Sequence, residues 1–319
     1  MVRRAVRPPA LPRAGTIASM FRRRSLTRPP GGRGGQKPMN ARFLMCPPRH
    51  YGVSYVINPW MEGNAGSVDA SLAARQWEAL HATLRRVADV QLIEPAAGQP
   101  DMVFTANAGL VLDGRVVPAH FHHAERTGEE AHFEAWFRAN SFALVDLPGD
   151  IAFEGAGDAL FDAARGCLWV AYGQRTRAAT SVLLRDALDI ATVPLRLVDP
   201  YFYHLDTCFC PLADGWLLWY PPAFDAAARS EVERRVPAAR RIVASDEDAR
   251  AFACNAVCVA GNVLLNQASP SLRRTLRLAG FRVIQLPLGE FIRAGGAAKC
   301  LTLRLDESRV IASPVARAA

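Results

Sequence analysis

From residue 39 onward the chain alternates between two hydrophobic rhythms. Short apolar runs predict strands at Arg42–Cys46, Val90–Ile93, Gly109–Leu112, Arg115–Pro118, Cys167–Ala171, Trp216–Trp219, Ala256–Val259, Val263–Asn266, Arg282–Gln285 and Cys300–Arg304. Between them, apolar positions recur at helical spacing over Ala70–Val87, Glu129–Ala139, Thr180–Asp189, Ala226–Arg235 and Ser271–Ala279. In the first of these, Leu72, Trp77, Leu80, Leu84 and Val87 form the apolar stripe, and Gln76, Glu78, Arg85 and Arg86 fall away from it. Paired strands followed by a helix return at intervals of roughly 40–60 residues. This rhythm predicts a single α/β domain over residues 39–319, built from several similar units.

Residues 1–38 break that rhythm. They are rich in Arg, Pro and Gly and carry ten basic residues and no acidic one. Such a segment cannot bury enough surface to offset its ordering entropy, so it reads as a disordered basic tail or as an upstream extension. A targeting segment and an anion-binding arm are the other readings, and Met39 would make a natural start. The tail also explains the charge. The full chain has a net charge of +8, yet beyond residue 38 it holds 28 basic against 30 acidic residues. The folded part therefore gives no electrostatic reason to expect nucleic acid.

Seven cysteines, an odd number in a long chain without a secretory signal, fit reduced thiols in a cytoplasmic enzyme. No apolar run approaches the length of a membrane span, so no membrane partner is expected. No glycine-rich phosphate cradle is present, so no nucleotide cofactor is implied.

Four polar clusters interrupt the apolar runs: Pro100–Asn107, Phe153–Asp158, His204–Thr207 and Gly295–Cys300. Each sets an ionisable or amide side chain beside Gly, Ala or a turn at a strand end, where α/β enzymes assemble their sites. Cys300 follows a Gly-Gly-Ala-Ala-Lys run. A free thiol has a pKa of about 8.5, so it needs a neighbouring cation to become an effective nucleophile, and a cationic substrate could supply it. Read as a strand, His204-Leu205-Asp206 puts His204 and Asp206 on one face, about 7 Å apart. That spacing suits a proton-transfer group at one end of a cation and a carboxylate clamp at the other. Asp101, Glu154, Asp158 and Asp206 stand in apolar or glycine-rich surroundings, where a charge is costly unless paired. A cationic ligand is the expected partner. His120, His122, His123, Cys208 and Cys210 match no metal-site spacing, so no metal is expected.

Taken together, these clusters resemble the guanidine-modifying (pentein, or amidinotransferase-like) superfamily over nearly everything from Met39 to Val310. The opening segment, Met45–Pro48 with Tyr55–Met61, is most similar to the arginine dihydrolase and dimethylarginine dimethylaminohydrolase-like branch. The resemblance implies a five-bladed α/β propeller (the pentein fold) with pseudo-fivefold symmetry and a central polar channel. It implies Cys300 as nucleophile, His204 as proton shuttle and Glu154 as the acid that aligns His204. Asp101, Asn107, Asp206, Arg126, Arg175, Asn58 and Asp158 become the substrate-binding set, with Arg126 and Arg175 on the substrate carboxylate. The implied reaction is hydrolysis of a guanidinium through a covalent thiouronium on Cys300. A small guanidino molecule is the implied substrate, no cofactor is needed, and a homo-oligomer is compatible with the branch. Dimethylarginine hydrolysis, amidino transfer to an amine, and arginine binding without catalysis are the alternatives.

Two departures refine the expectation. Asn107 stands where deiminases and dimethylargininases carry a second aspartate, and the dihydrolase branch looks similar here. Asp206 completes an H-x-D that dimethylargininases generally lack, and its carboxylate needs guanidinium N–H donors that methylation removes. Both favour unmethylated arginine, carried on to ornithine.

Overall fold

A computed structural model describes residues 41–148 and 151–309. The basic tail expected over residues 1–38 and the start expected at Met39 lie outside the described residues.

The repeating rhythm is borne out, and it follows one plan. β1 (Ala41–Met45) leads through α1 (Ala70–Leu84) to β2 (Ala88–Leu92), which lies parallel to β1. The second unit adds a strand in front. β3 (Gly109–Leu112) and β4 (Arg115–Pro118) form a hairpin, α2 (Ala124–Thr127) and α3 (Glu130–Ala139) follow, and β5 (Ala143–Leu144) returns parallel to β4. The same order recurs in β6 (Ala159–Asp162), β7 (Cys167–Tyr172), α4 (Thr180–Leu188) and β8 (Ala191–Arg196). It recurs again in β9 (Phe209–Pro211), β10 (Leu217–Trp219), α5 (Ala226–Arg235) and β11 (Arg241–Val243). After α6 (Asp246–Arg250), the fifth unit is β12 (Val257–Val259), β13 (Asn262–Leu265), α7 (Pro270–Leu278) and β14 (Arg282–Gln285).

Among the described residues the first unit has no leading strand of its own. α8 (Gly289–Ile292) is followed by β15 (Leu303–Arg304), which pairs antiparallel with β1, Phe43 opposite Arg304 and Leu44 opposite Leu303. Five three-stranded sheets result, each an antiparallel pair extended by one parallel strand.

Local chemistry explains the elements. Asp113-Gly114 and Ala260-Gly261, all at positive φ, turn the β3–β4 and β12–β13 hairpins. Asp69, Asp225 and Ser269 cap α1, α5 and α7 by accepting from the backbone N–H three residues on. α1 buries Ala73, Trp77, Leu80 and Leu84, while Leu72 is only half-buried and the helix ends before Val87. Trp169 and Trp219 are wholly buried, and the Phe209 ring packs 5.3 Å from that of Trp169, joining the third and fourth units in one core. β5, β6, β8, β9 and β11 escape the hydrophobic pattern. Several are two or three residues long, and β8 holds Pro194 and buries only Val193 and Leu195. Among the described residues no helix is long and apolar enough to cross a membrane.

Candidate active site

Every unit places a polar turn just before its leading strand. Pro100–Ala108 precedes β3, Glu154–Asp158 precedes β6, His204–Thr207 precedes β9, Asn255 precedes β12 and Ala297–Thr302 precedes β15. The sequence points to four of these turns. The fifth, at Asn255, it misses. The turns also correct the expected local structure. Leu205–Thr207 is a 3-10 turn, because the Leu205 N–H donates to Asp158 and the Cys208 N–H to the Leu205 carbonyl. His204 and Asp206 are therefore not neighbours on one strand face. Cys300 likewise lies in a turn, three residues before β15, and not in the expected strand.

Asn255 is what holds the Cys300 turn. Its Oδ1 accepts from the backbone N–H groups of Ala297 (3.1 Å), Lys299 (3.0 Å) and Cys300 (3.2 Å). Its Nδ2 donates to the Asp206 carbonyl and to Cys300 Sγ, both at 3.0 Å. The Cys300 thiol faces the Asp206 carboxylate at 3.3 and 3.5 Å. Burial, and then the Asp206 charge, push this thiol well above its ordinary value. Burial also pushes the Asp206 carboxyl up to about 6, against the pull of Lys299. A thiol beside a carboxylate needs a cation before it becomes a thiolate. Glycine makes the close packing of this turn possible. A Cβ on Gly296 would lie 2.4 Å from the Phe104 ring, and one on Gly295, at φ +85°, 2.6 Å from the Tyr203 hydroxyl.

The second cluster centres on Glu154, which is wholly buried. Its Oε2 is 2.6 Å from His204 Nε2 and accepts from Arg175 Nη1 at 3.0 Å, while its Oε1 accepts from the His122 backbone N–H at 3.2 Å. Burial works against the charge, yet Arg175 and the His204 hydrogen bond hold the carboxyl well below its usual range. An ionised Glu154 can only accept, so His204 Nε2 carries the proton and Nδ1 is left as the basic nitrogen. Arg175 also donates to the Ile57 carbonyl at 2.8 Å and stacks 4.7 Å from the Tyr203 ring centre. Asp158 has both oxygens engaged by protein, from Leu205 N–H at 3.1 Å and Thr176 Oγ1 at 2.7 Å. Burial pushes it up to about 6.

Asp101 behaves differently. Its Oδ2 accepts from the Tyr55 hydroxyl at 2.9 Å, but its Oδ1 is buried without a partner among the described residues. Such an atom costs several kcal/mol unless a ligand donor satisfies it. Burial pushes this carboxyl up, with Arg126 and the Tyr55 hydrogen bond opposing. Asp101, Asn107, Arg126, Arg175, Asn58 and Cys300 all line one narrow cavity. Glu154, His204, Asp206 and Asp158 are not on its wall. Glu154 and Asp206 stand behind Arg175 and Cys300, in hydrogen-bond contact with them. Asn58 caps the short turn Pro59–Met61 by accepting from the Trp60 N–H, and its amide donates to the Ala294 carbonyl at 3.1 Å. Tyr55, Asn255 and Thr176 hydrogen-bond to Asp101, Cys300 and Asp158, and the sequence pattern does not flag them as site residues. The repeat itself could have found Asn255, since a polar residue was due just ahead of β12.

The arrangement can therefore bind a flat cation against the Asp101 carboxylate, beside a thiol backed by Asp206 and near a histidine aligned by an ionised acid. Comparisons with known proteins agree with that chemistry. A family profile described as "N,N dimethylarginine dimethylhydrolase, eukaryotic" matches residues 59–306. The chain is 54% identical over 266 residues to the bifunctional arginine dihydrolase/ornithine cyclodeaminase ArgZ of Synechocystis, covering 83% of this chain and 38% of that protein. It is 39% identical over 269 residues to the N(G),N(G)-dimethylarginine dimethylaminohydrolase of Mycobacterium tuberculosis, covering 84% of this chain and 87% of that one. The crystal structure of the N-terminal domain of ArgZ bound to substrate superposes with a TM-score of 0.84 at 52% identity, covering 85% of this chain and 100% of that domain. A variant of that domain has also been seen covalently bonded to a reaction intermediate. The chain thus spans well under half the length of the bifunctional relative.

Proposed function

This chain belongs to the dimethylarginine dimethylaminohydrolase family, and on that footing we propose that it is a cysteine hydrolase acting on the guanidinium of free arginine and carrying it through to ornithine. The observation that carries this reading is one cavity shared by the Cys300 thiol and Asp101, a buried carboxylate with an oxygen that no group among the described residues satisfies. Similarity to a bifunctional enzyme whose name includes arginine dihydrolase supports it. We read the five sheets as the blades of a five-bladed propeller, with the five polar turns gathered at its axis.

In this mechanism the guanidinium lies between Asp101 and the Cys300 thiol, with Asp206 behind the thiol, and its charge favours transfer of the Cys300 proton to the basic nitrogen of His204. The thiolate attacks the central carbon. A guanidinium is a poor electrophile, so orientation and charge complementarity supply much of the barrier reduction. His204 gives a proton to the departing ammonia, and its basic nitrogen then takes one from the water that opens the thiouronium. Glu154 keeps the His204 tautomer and ring angle through both transfers. Arg175, on the cavity wall and already tied to Glu154, holds the α-carboxylate together with the remaining N–H of Arg126. Asp158 and Asn58 act by holding the His204 turn and the Pro59–Met61 turn in place. A second hydrolysis gives the full balance: arginine and two waters become ornithine, carbon dioxide and two ammonia. All seven cysteines are unpaired, which supports a reducing, cytoplasmic setting.

The test is incubation with arginine, dimethylarginine, agmatine and citrulline, with products identified by mass spectrometry. Ornithine with two ammonia per arginine supports the reading. Dimethylamine from dimethylarginine, with arginine untouched, would replace it by dimethylargininase activity. A new guanidino product on adding glycine would mark an amidinotransferase.

A further inference from the structure

Behind Arg126 and Asn107 stands a residue that the sequence pattern leaves unremarked. Glu129 is wholly buried just before α3, and Arg126 occupies both its oxygens, Nε at 2.8 Å and Nη2 at 2.9 Å. Burial raises Glu129 to about 7, with Arg126 opposing. The rest of the Arg126 guanidinium is spent on the site. Nη1 donates to Asn107 Oδ1 at 3.0 Å, and Nη2 to the Asp101 carbonyl at 3.3 Å. A guanidinium only donates, so the Asn107 atom facing it must be the oxygen. At the other end, Asn107 Nδ2 donates to the Glu154 carbonyl at 3.2 Å, an atom that only accepts. Two independent partners thus fix the amide in one of its two orientations. Gly157 leaves room for it, since a Cβ there would sit 2.3 Å from Nδ2.

We propose that Glu129 is a positioning residue for the second round of hydrolysis: by holding Arg126 against Asn107 Oδ1, it keeps an Asn107 amide N–H turned to the site. This inference rests on the arginine-to-ornithine reading above. One Nδ2 hydrogen is engaged by Glu154, and on this reading the other faces the cavity that Asn107 lines. A guanidinium offers only donors, so it gains nothing from that N–H. The first-round product carries a neutral ureido group with an oxygen on the same carbon, and that oxygen is an acceptor. The N–H retains this product and stabilises the negative charge that forms on the oxygen when Cys300 attacks again. In that step Cys300, still the thiolate released when water opened the first adduct, forms the Sγ–C bond and the C–N bond to ammonia breaks, with His204 supplying the proton it took from that water. Water then cleaves the thiocarbamate, and the resulting carbamate loses carbon dioxide to leave ornithine. Without Glu129, the buried Arg126 charge turns to the nearest carboxylate, and Asn107 is free to flip.

The experiment measures the ornithine-to-citrulline ratio at saturating arginine for the full chain and for Glu129→Gln. The ratio should fall about tenfold, the factor expected for one lost hydrogen bond, while arginine consumption falls less. A merely structural role slows both rounds together and leaves the ratio unchanged; that result in a folded variant overturns the proposal. Should Glu129→Gln fail to fold, the charge-neutral pair Arg126→Gln/Glu129→Gln carries the same test, and an unchanged ratio there is equally fatal. In an Asn107→Ser background, Glu129→Gln should shift the ratio no further; an additional shift overturns the route through Asn107. Wild-type protein that makes no ornithine overturns the functional reading and this inference with it. Wild-type ornithine with an unaltered ratio in Glu129→Gln overturns this inference alone.

Discussion

The two halves of the site are in opposite electrostatic states. Around Glu154 everything is satisfied: Arg175 and His204 hold the carboxylate ionised, and each of its oxygens has a partner. Around Cys300 little is. The thiol and Asp206 are both pushed towards their protonated forms, and Asp101 keeps an oxygen without a donor. The first half is finished before substrate arrives, whereas the second is finished by it. On the proposed mechanism substrate charge becomes part of nucleophile activation, and a neutral thiol is protected from oxidation until then.

The most severe test of this contrast is Cys300→Ser. Turnover should fall by roughly 10³-fold or more with the melting temperature little changed; residual activity near wild type would remove Cys300 from the mechanism. Next is His204→Ala, which leaves the thiol but deprives the finished half of its proton carrier. The rate should fall about 10²–10⁴-fold, and a mass increment on Cys300 should persist under saturating arginine. A rate loss with no adduct at any time would confine His204 to the first proton transfer.

Asp206→Asn probes the unfinished half. Arginine kcat/KM should fall about 10²-fold as the clamp is lost. Stability moves the other way, and the sign follows from the raised carboxyl. Folding disfavours the charged form, so the native state carries a penalty that is complete above about pH 6 and vanishes below the ordinary carboxyl value of 3.8. The variant should therefore melt higher than wild type at pH 7.5 and no higher at about pH 4. Equal melting differences at both pH values would show that Asp206 is stabilised by its surroundings. The mildest change is Asp158→Asn. It keeps one acceptor, for the Leu205 N–H or for Thr176, but not the charge. It should cost about 1–3 kcal/mol in denaturant unfolding, with kcat reduced more than KM as the His204 turn loosens. A KM effect alone would mean that Asp158 touches substrate.

How much of this was legible in the sequence depends on the kind of signal. Cys300, His204, Asp206, Asp101 and Glu154 stand out because a charged or reactive group in an apolar run has few structural reasons to be there. Hydrophobic period found the hairpin strands β3, β4 and β7 and all five long helices. It could not find β5 or β9, where two or three residues carry no period. The expectation that His204-Leu205-Asp206 is a strand failed because its geometry is set from a distance. The Asp158 carboxylate accepts from the Leu205 N–H across 47 residues of sequence, and no local pattern reports a bond of that separation. Asn255 was missed for the same cause. An asparagine between Cys254 and Ala256 looks ordinary until its Oδ1 is seen gathering three N–H groups of the Cys300 turn. Glu129 likewise reads as one more acidic residue near a helix start, and only the fold shows that it neutralises Arg126.

The pairing of β15 with β1 bears on how the protein comes into being. The strand that completes the first sheet is made long after its partner: Arg42 and Asp306, hydrogen-bonded beside that pairing, are 264 residues apart. Contacts of such long sequence separation form late, because the loop they close must be ordered first. Cys300 sits three residues before that closing strand. Synthesis therefore delivers the Cys300 thiol last, to a scaffold whose other turns are already made, and a chain that stops short of residue 300 should be inert.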